Sequence, residues 1–273
     1  MKKILVAFNG GHFSSACFEF ARKINELQPV LLTGVFMTEA SYTNLWSYTA
    51  GMAGPSYIPL VEDVPDVVES SIAQFENMCL HNGISYRVHN DQGKFAIPEL
   101  KKETRFADLL IIGSDAFYQN HVGVNPIDYL KEALHEAECP VMVVPDKYEF
   151  PSCNILAYDG SRDCVFAIKQ FAYLFPELCG NKTVLVFSKN DTQDHLPDEI
   201  YIEELATQHF ADLELLKLDI DPKKDFTKWL MANKNAVLVS GSFGRSAISQ
   251  FLKRSFAEGI IEERHIPVFI AHL

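Results

Sequence analysis

No run of apolar residues in this 273-residue chain approaches the ~18 that cross a bilayer, so no membrane-spanning helix is expected. Positive charge is scarce as well. Lys and Arg number 24 against 36 Asp and Glu, a net charge of −12. That balance argues against a general nucleic-acid or anionic-membrane surface, because phosphates need a basic face. The six cysteines (Cys17, Cys79, Cys139, Cys153, Cys164 and Cys179) show no CxxC spacing. They read as reduced thiols rather than a disulfide framework. HExxH is absent, and no GKS or GKT follows either glycine-rich turn. No nucleophile–base pair stands out, so nothing demands catalysis. His135 and Cys139 are spaced to share one face of a helix, but a histidine closing a helix C-terminus is the simpler reading. The opening MKKILVAFNGGH is apolar only from Ile4 to Phe8. It is too short for a secretory leader and reads as a buried strand, so a cytoplasmic protein is expected.

What is present is a composition of ordinary globular type, 48% hydrophobic and 22% charged. It is written twice along the chain. KKILVAFNGGHFSSACFEFARKI is matched by CNILAYDGSRDCVFAIKQFAYLF: an apolar strand, a small-residue turn, then a helix. In the second copy the helical spacing falls on Val165, Ile168, Phe171, Ala172 and Phe175. ADLLIIGSDAF is matched by NAVLVSGSFGR, and EALHEAECPVMVVP by GIIEERHIPVFIAH. Continuous apolar strands alternating with amphipathic helices point to parallel α/β layers covered on both faces. The sequence predicts two tandem Rossmann-like α/β domains, residues 1–146 and 152–273, each a five-stranded, mainly parallel sheet flanked by helices. PDKYEFPS, residues 145 to 152, is the linker between them. The first half also carries a long connection, residues 38–66, with Trp46, Tyr48 and Tyr57. It reads either as a functional lid or as a surface loop whose aromatics pack on the neighbouring domain.

In doubly wound α/β domains ligands bind beyond the carboxyl ends of the strands, where strand order reverses. Two turns of the second half belong there, AYDGSRD and SGSFGRS. Glycines allow close backbone approach, and amides at a helix start favour an anion. Asp159 reads equally as a turn or helix-cap aspartate.

The second turn resembles the Gly-x2-Gly-x9-Gly-Ser/Thr signature of the universal stress protein family. Gly241 and Gly244 match the first two glycines, Arg254 stands in the third glycine position, and Ser255 matches the hydroxyl position. The closing IPVFIA strand is also similar, and the resemblance spans nearly the whole chain as a tandem form. It implies an adenine nucleotide α-hydrolase-like fold and a stress-response regulator that binds ATP, with magnesium as a companion ion. Asp159 would face the nucleoside and the strand end near Phe187 the base. Gly241, Gly244 and Ser255 would hold phosphates, with Arg254 either obstructing them or adding a charged contact. The family's single domains dimerise through their last strands. PVMVV and PVFIA are therefore expected to pair as an intrachain pseudo-dimer, with Val141, Val143, Val268 and Ile270 at the junction and a homodimer also open. The first half departs further. Asn9 replaces the aspartate, and after Gly113 the next glycine is Gly123, so this half is read as unable to hold ATP in the family manner. Two alternatives stay open: an interaction protein of the same fold with both sites decayed, working with an unidentified protein partner, and an enzyme of the wider nucleotide-hydrolase group.

Overall fold

The computed structural model describes residues 1–9, 13–37, 65–90, 96–114, 133–188, 196–218, 235–241 and 266–273. The chain divides into two compact units, Met1–Cys139 and Pro140–Leu273.

In the first unit β1 (Lys2–Asn9), β2 (Val30–Met37), β3 (Ser85–Asn90) and β4 (Leu109–Gly113) alternate with α1 (Ser15–Leu27), α2 (Pro65–His81) and α3 (Ala96–Arg105). Their order is β3-β2-β1-β4, and every pairing is parallel. Ile4 to Phe8 and Leu109 to Ile112 are buried, as strands covered on both faces must be. Helix α1 begins where the Ser14 hydroxyl accepts from the Cys17 amide at 3.3 Å. It buries Cys17, Phe18, Phe20, Ala21 and Ile24, a helical stripe. An aromatic cluster fills the space above β1 and β2. Phe13 stacks on Phe8 at 5.0 Å between ring centres, Phe36 stacks on Phe8 at 5.0 Å, and Phe75 meets Phe8, Phe18, Phe36 and Tyr86 edge-on.

The second unit holds β5 (Val141–Val144), β6 (Cys153–Tyr158), β7 (Lys182–Ser188), β8 (Asp212–Leu218), β9 (Ala236–Ser240) and β10 (Val268–Ile270). Helices α4 (Arg162–Leu174) and α5 (Glu199–His209) and a tight 3-10 turn, Pro176–Gly180, connect them. The order is β5-β10-β9-β6-β7-β8, parallel except for β5 against β10. Val268 faces Val143 and Ile270 faces Val141, the pairing expected of the two closing strands. That pairing places β5 with the second unit, ahead of the linker at residues 145 to 152, although the repeat assigns this strand to the first half. The periodic residues of α4 face inward as the spacing predicts: Ile168, Phe171, Ala172 and Phe175 are buried and Val165 is half-buried.

No helix among the described residues is long and apolar enough to cross a membrane. The long connection at 38–66, with Trp46, Tyr48 and Tyr57, lies outside the described residues up to the start of α2.

Candidate functional site: the carboxyl ends of β6 and β9

Strand order reverses between β6 and β9. From β6 the chain moves outward through β7 to β8, then returns to the other side of β6 as β9. The crevice between two such strand ends is where a doubly wound sheet receives a ligand. Here it is bounded by Tyr158, Asp159 and Gly160 on one side and by Ser240 and Gly241 on the other.

Asp159 accepts from the Ser161 amide through Oδ1 at 2.8 Å, a local Asx turn. Ser161 then caps α4, its hydroxyl accepting from the Cys164 amide at 3.2 Å. The simpler reading of Asp159, a turn residue, is thus realised in the structure. Gly160 has φ +82°, a conformation that favours glycine, and it precedes the cap residue. Gly241 is required by packing. A Cβ there would sit 2.6 Å from the backbone carbon of Asp163 and 2.6 Å from the amide nitrogen of Cys164. The end of β9 lies directly against the first turn of α4, as close strand–helix packing in a dinucleotide fold requires.

The electrostatics of this corner are acidic. Burial pushes the Cys164 thiol up to about 12, and Asp159 adds to it. Burial also raises the Tyr158 hydroxyl to about 12, followed by Asp198, Cys164 and Asp159. Both groups therefore stay protonated through the physiological range. A carboxylate beside α4 suits the hydroxyls of a sugar better than a polyphosphate, which would be repelled. Phe187 is buried at the end of β7, directly opposite Tyr158 in the ladder. Asp159, Phe187 and Gly241 thus stand on neighbouring strand ends. Gly244, Arg254 and Ser255 lie outside the described residues.

The first unit has the same frame with different contents. Phe8 pairs with Phe36 where Tyr158 pairs with Phe187, so Asn9 occupies the place of Asp159. Phe13 precedes the cap Ser14 as Gly160 precedes Ser161. Its ring stacks on Phe8, whereas Gly160 carries no side chain. His12 lies outside the described residues. His135 is exposed, and Cys139 is pushed up to about 12, by burial first and then by Asp108. Among the described residues no cluster of three His, Cys, Asp or Glu is placed to hold a metal.

No family model and no curated protein matches the sequence. Solved structures do. A universal stress protein from Archaeoglobus fulgidus DSM 4304 superposes with a TM-score of 0.65 at 12% identity, over 99% of this chain and 96% of that one. A putative universal stress protein from Pseudomonas aeruginosa UCBPP-PA14 gives a TM-score of 0.55 at 12% identity, over 100% and 93%. The chain has the universal stress protein fold. A functionally unknown protein from Pseudomonas aeruginosa PAO1 shares it, with a TM-score of 0.56 at 12% identity over 100% and 92%. At such identity the universal stress protein fold is common ground, and the site residues must be argued from this chain. The sequence singles out Asp159, Phe187 and Gly241 at these strand ends but not Tyr158, Gly160 and Pro197, which the structure brings together. The Asp-Gly step was the available signal, since it marks a positive-φ turn.

Proposed function

We propose that this chain is an adenine-nucleotide-binding protein of the stress-response type, with its site in the second unit. The observation that carries the reading is the meeting of the Asp159 turn and Gly241 at the start of α4, on the two strands where order reverses. In this reading Asp159 would accept from a ribose hydroxyl and the β7 end at Phe187 would face the base, which is supported by their standing on neighbouring strand ends. The phosphate end is assigned to Gly244 and Ser255 on the sequence resemblance, with magnesium as the companion cation. In this reading the role is binding and signalling rather than bond cleavage.

A second reading, an interaction protein of the same fold with a decayed site, is favoured by Arg254 at the third glycine position. The test is the nucleotide content of the purified protein, read by mass spectrometry after denaturation, for wild type and Arg254→Gly. Adenine nucleotide in the wild type supports the first reading, and more of it in Arg254→Gly identifies Arg254 as an obstruction. None in either protein, before or after incubation with millimolar ATP and magnesium, supports the second.

A further inference from the structure

The short segment before α5 lies over the Asp159 turn. Pro197 is the residue whose Cβ would stand 2.7 Å from a Cβ on Gly160, and its Cγ would stand 3.1 Å away. Only a bare α-carbon at position 160 leaves Pro197 room. The Tyr158 hydroxyl donates to the Pro197 carbonyl at 3.0 Å, and the Tyr158 side chain is buried beneath the segment. The next residue, Asp198, has φ 49° and ψ 38°, the left-handed region, and is the only non-glycine residue with positive φ among the described residues. As the N-cap of α5 it makes no side-chain capping bond, whereas Ser14 and Ser161 cap their helices from extended backbone. Backbone held in a sparsely populated region persists only where its surroundings impose it. Aspartate tolerates that region better than most residues, and the contacts flanking it here are the Tyr158 bond and the Pro197–Gly160 apposition.

We propose that residues 196–198 are a strap, latched by Tyr158 over the Asp159–Gly160 turn, that must lift before a ligand reaches Asp159. The inference rests on the nucleotide reading for the identity of the ligand, but not for the existence of the latch. Lifting the strap breaks one hydrogen bond and frees Asp198 from its left-handed backbone. The Tyr158 hydroxyl stays a donor across the physiological range because burial, with Asp198, Cys164 and Asp159 behind it, holds its proton.

The experiment compares wild type, Tyr158→Phe and Pro197→Ala, first by hydrogen exchange and then by stopped-flow binding of ATP with magnesium. The amides of Tyr201 and Ile202, bonded to the Asp198 carbonyl at 2.9 and 3.0 Å, report the strap. The Phe210 amide, bonded to the Ala206 carbonyl at 2.8 Å, reports the far end of the same helix and the integrity of the fold. Loss of the single latch bond is expected to speed exchange at Tyr201 and Ile202 about 3- to 10-fold in Tyr158→Phe. Phe210 is expected to stay unchanged and nucleotide association to quicken by a similar factor. Pro197→Ala is expected to move both readouts in the same direction. Unchanged exchange at Tyr201 and Ile202 overturns the latch. Faster exchange with an unchanged association rate overturns its role as a gate. Absence of ATP binding in all three proteins refutes the nucleotide reading instead, and the exchange data then decide the latch alone.

Discussion

Gly241 belongs to the signature that resembles a phosphate loop, yet its neighbours are protein backbone. Asp163 and Cys164 lie where its Cβ would be, and main-chain atoms cannot swing aside as a side-chain tip can. Gly241→Ala is therefore predicted to lower stability by about 1–3 kcal/mol, read from the urea midpoint without any ligand. An unchanged midpoint would mean that the close approach is not what fixes glycine there. The buried thiols make a second prediction at this scale. Cys79, Cys139 and Cys164 are raised to about 12 and Cys179 to about 11, in every case by burial first. The folded state thus binds these protons more tightly than the unfolded chain does. Stability is fully present below the ordinary thiol value of 9.0 and is lost as pH rises from there toward the folded values. Tyr158 acts in the same direction, from 10.0 toward about 12. The urea midpoint should hold steady from pH 7 to 8.5 and fall above 9. A midpoint that climbs through pH 10 would contradict the burial of these groups. Sequence spacing carries no signal for these pKa values, which depend on what the fold stacks around each thiol.

At the scale of elements, the helices were legible where one stripe decides burial. Ile168, Phe171 and Ala172 are read directly from a period near 3.6, and the cap at Ser161 follows from a hydroxyl just before the first turn. Ser161→Ala is predicted to cost about 1 kcal/mol by thermal or urea unfolding, as a lost N-cap does, and a neutral result would show the cap bond to be idle. The strand CNILAY was legible as buried, but the work of Asn154 inside it was not. Its Nδ2 donates to the Leu178 carbonyl at 2.8 Å and to the Thr183 hydroxyl at 2.9 Å. Those partners sit in the 3-10 turn and on β7, 24 and 29 residues away in the chain, beyond any local pattern. Asn154→Ala is predicted to destabilise the second unit by about 1–3 kcal/mol, because two buried hydrogen bonds are lost together, although the Leu178 carbonyl keeps the Asn181 amide as a donor. Hydrogen exchange confined to Pro176–Gly180 would localise the damage.

At the scale of the whole molecule, the repeat made the architecture readable. Matching phrases in the two halves place matching strands, and the ladder registers agree down to Phe8 opposite Phe36 and Tyr158 opposite Phe187. Hydrophobic strands survive exchange of one apolar residue for another, which is why a fold persists at 12% identity to its solved neighbours. A binding site has no such redundancy, so a single replacement such as Asn9 for aspartate or Arg254 for glycine changes its meaning. The candidate site was legible only in part for that reason: Asp159 and Gly241 stand out by local turn chemistry, and the contact of Pro197 with Tyr158 and Gly160 does not. The two units differ at the same place in the repeat, with Phe13, stacked on Phe8, before one helix cap and Gly160 before the other. Unequal halves are therefore expected, and the stoichiometry of nucleotide binding tests that most directly. Calorimetry of the intact chain with ATP and magnesium should find one site per chain, weakened about 10- to 100-fold in Asp159→Ala by loss of a charged hydrogen bond. Two equivalent sites, an Asp159→Ala variant that binds as the wild type does, or no heat at millimolar nucleotide would contradict it.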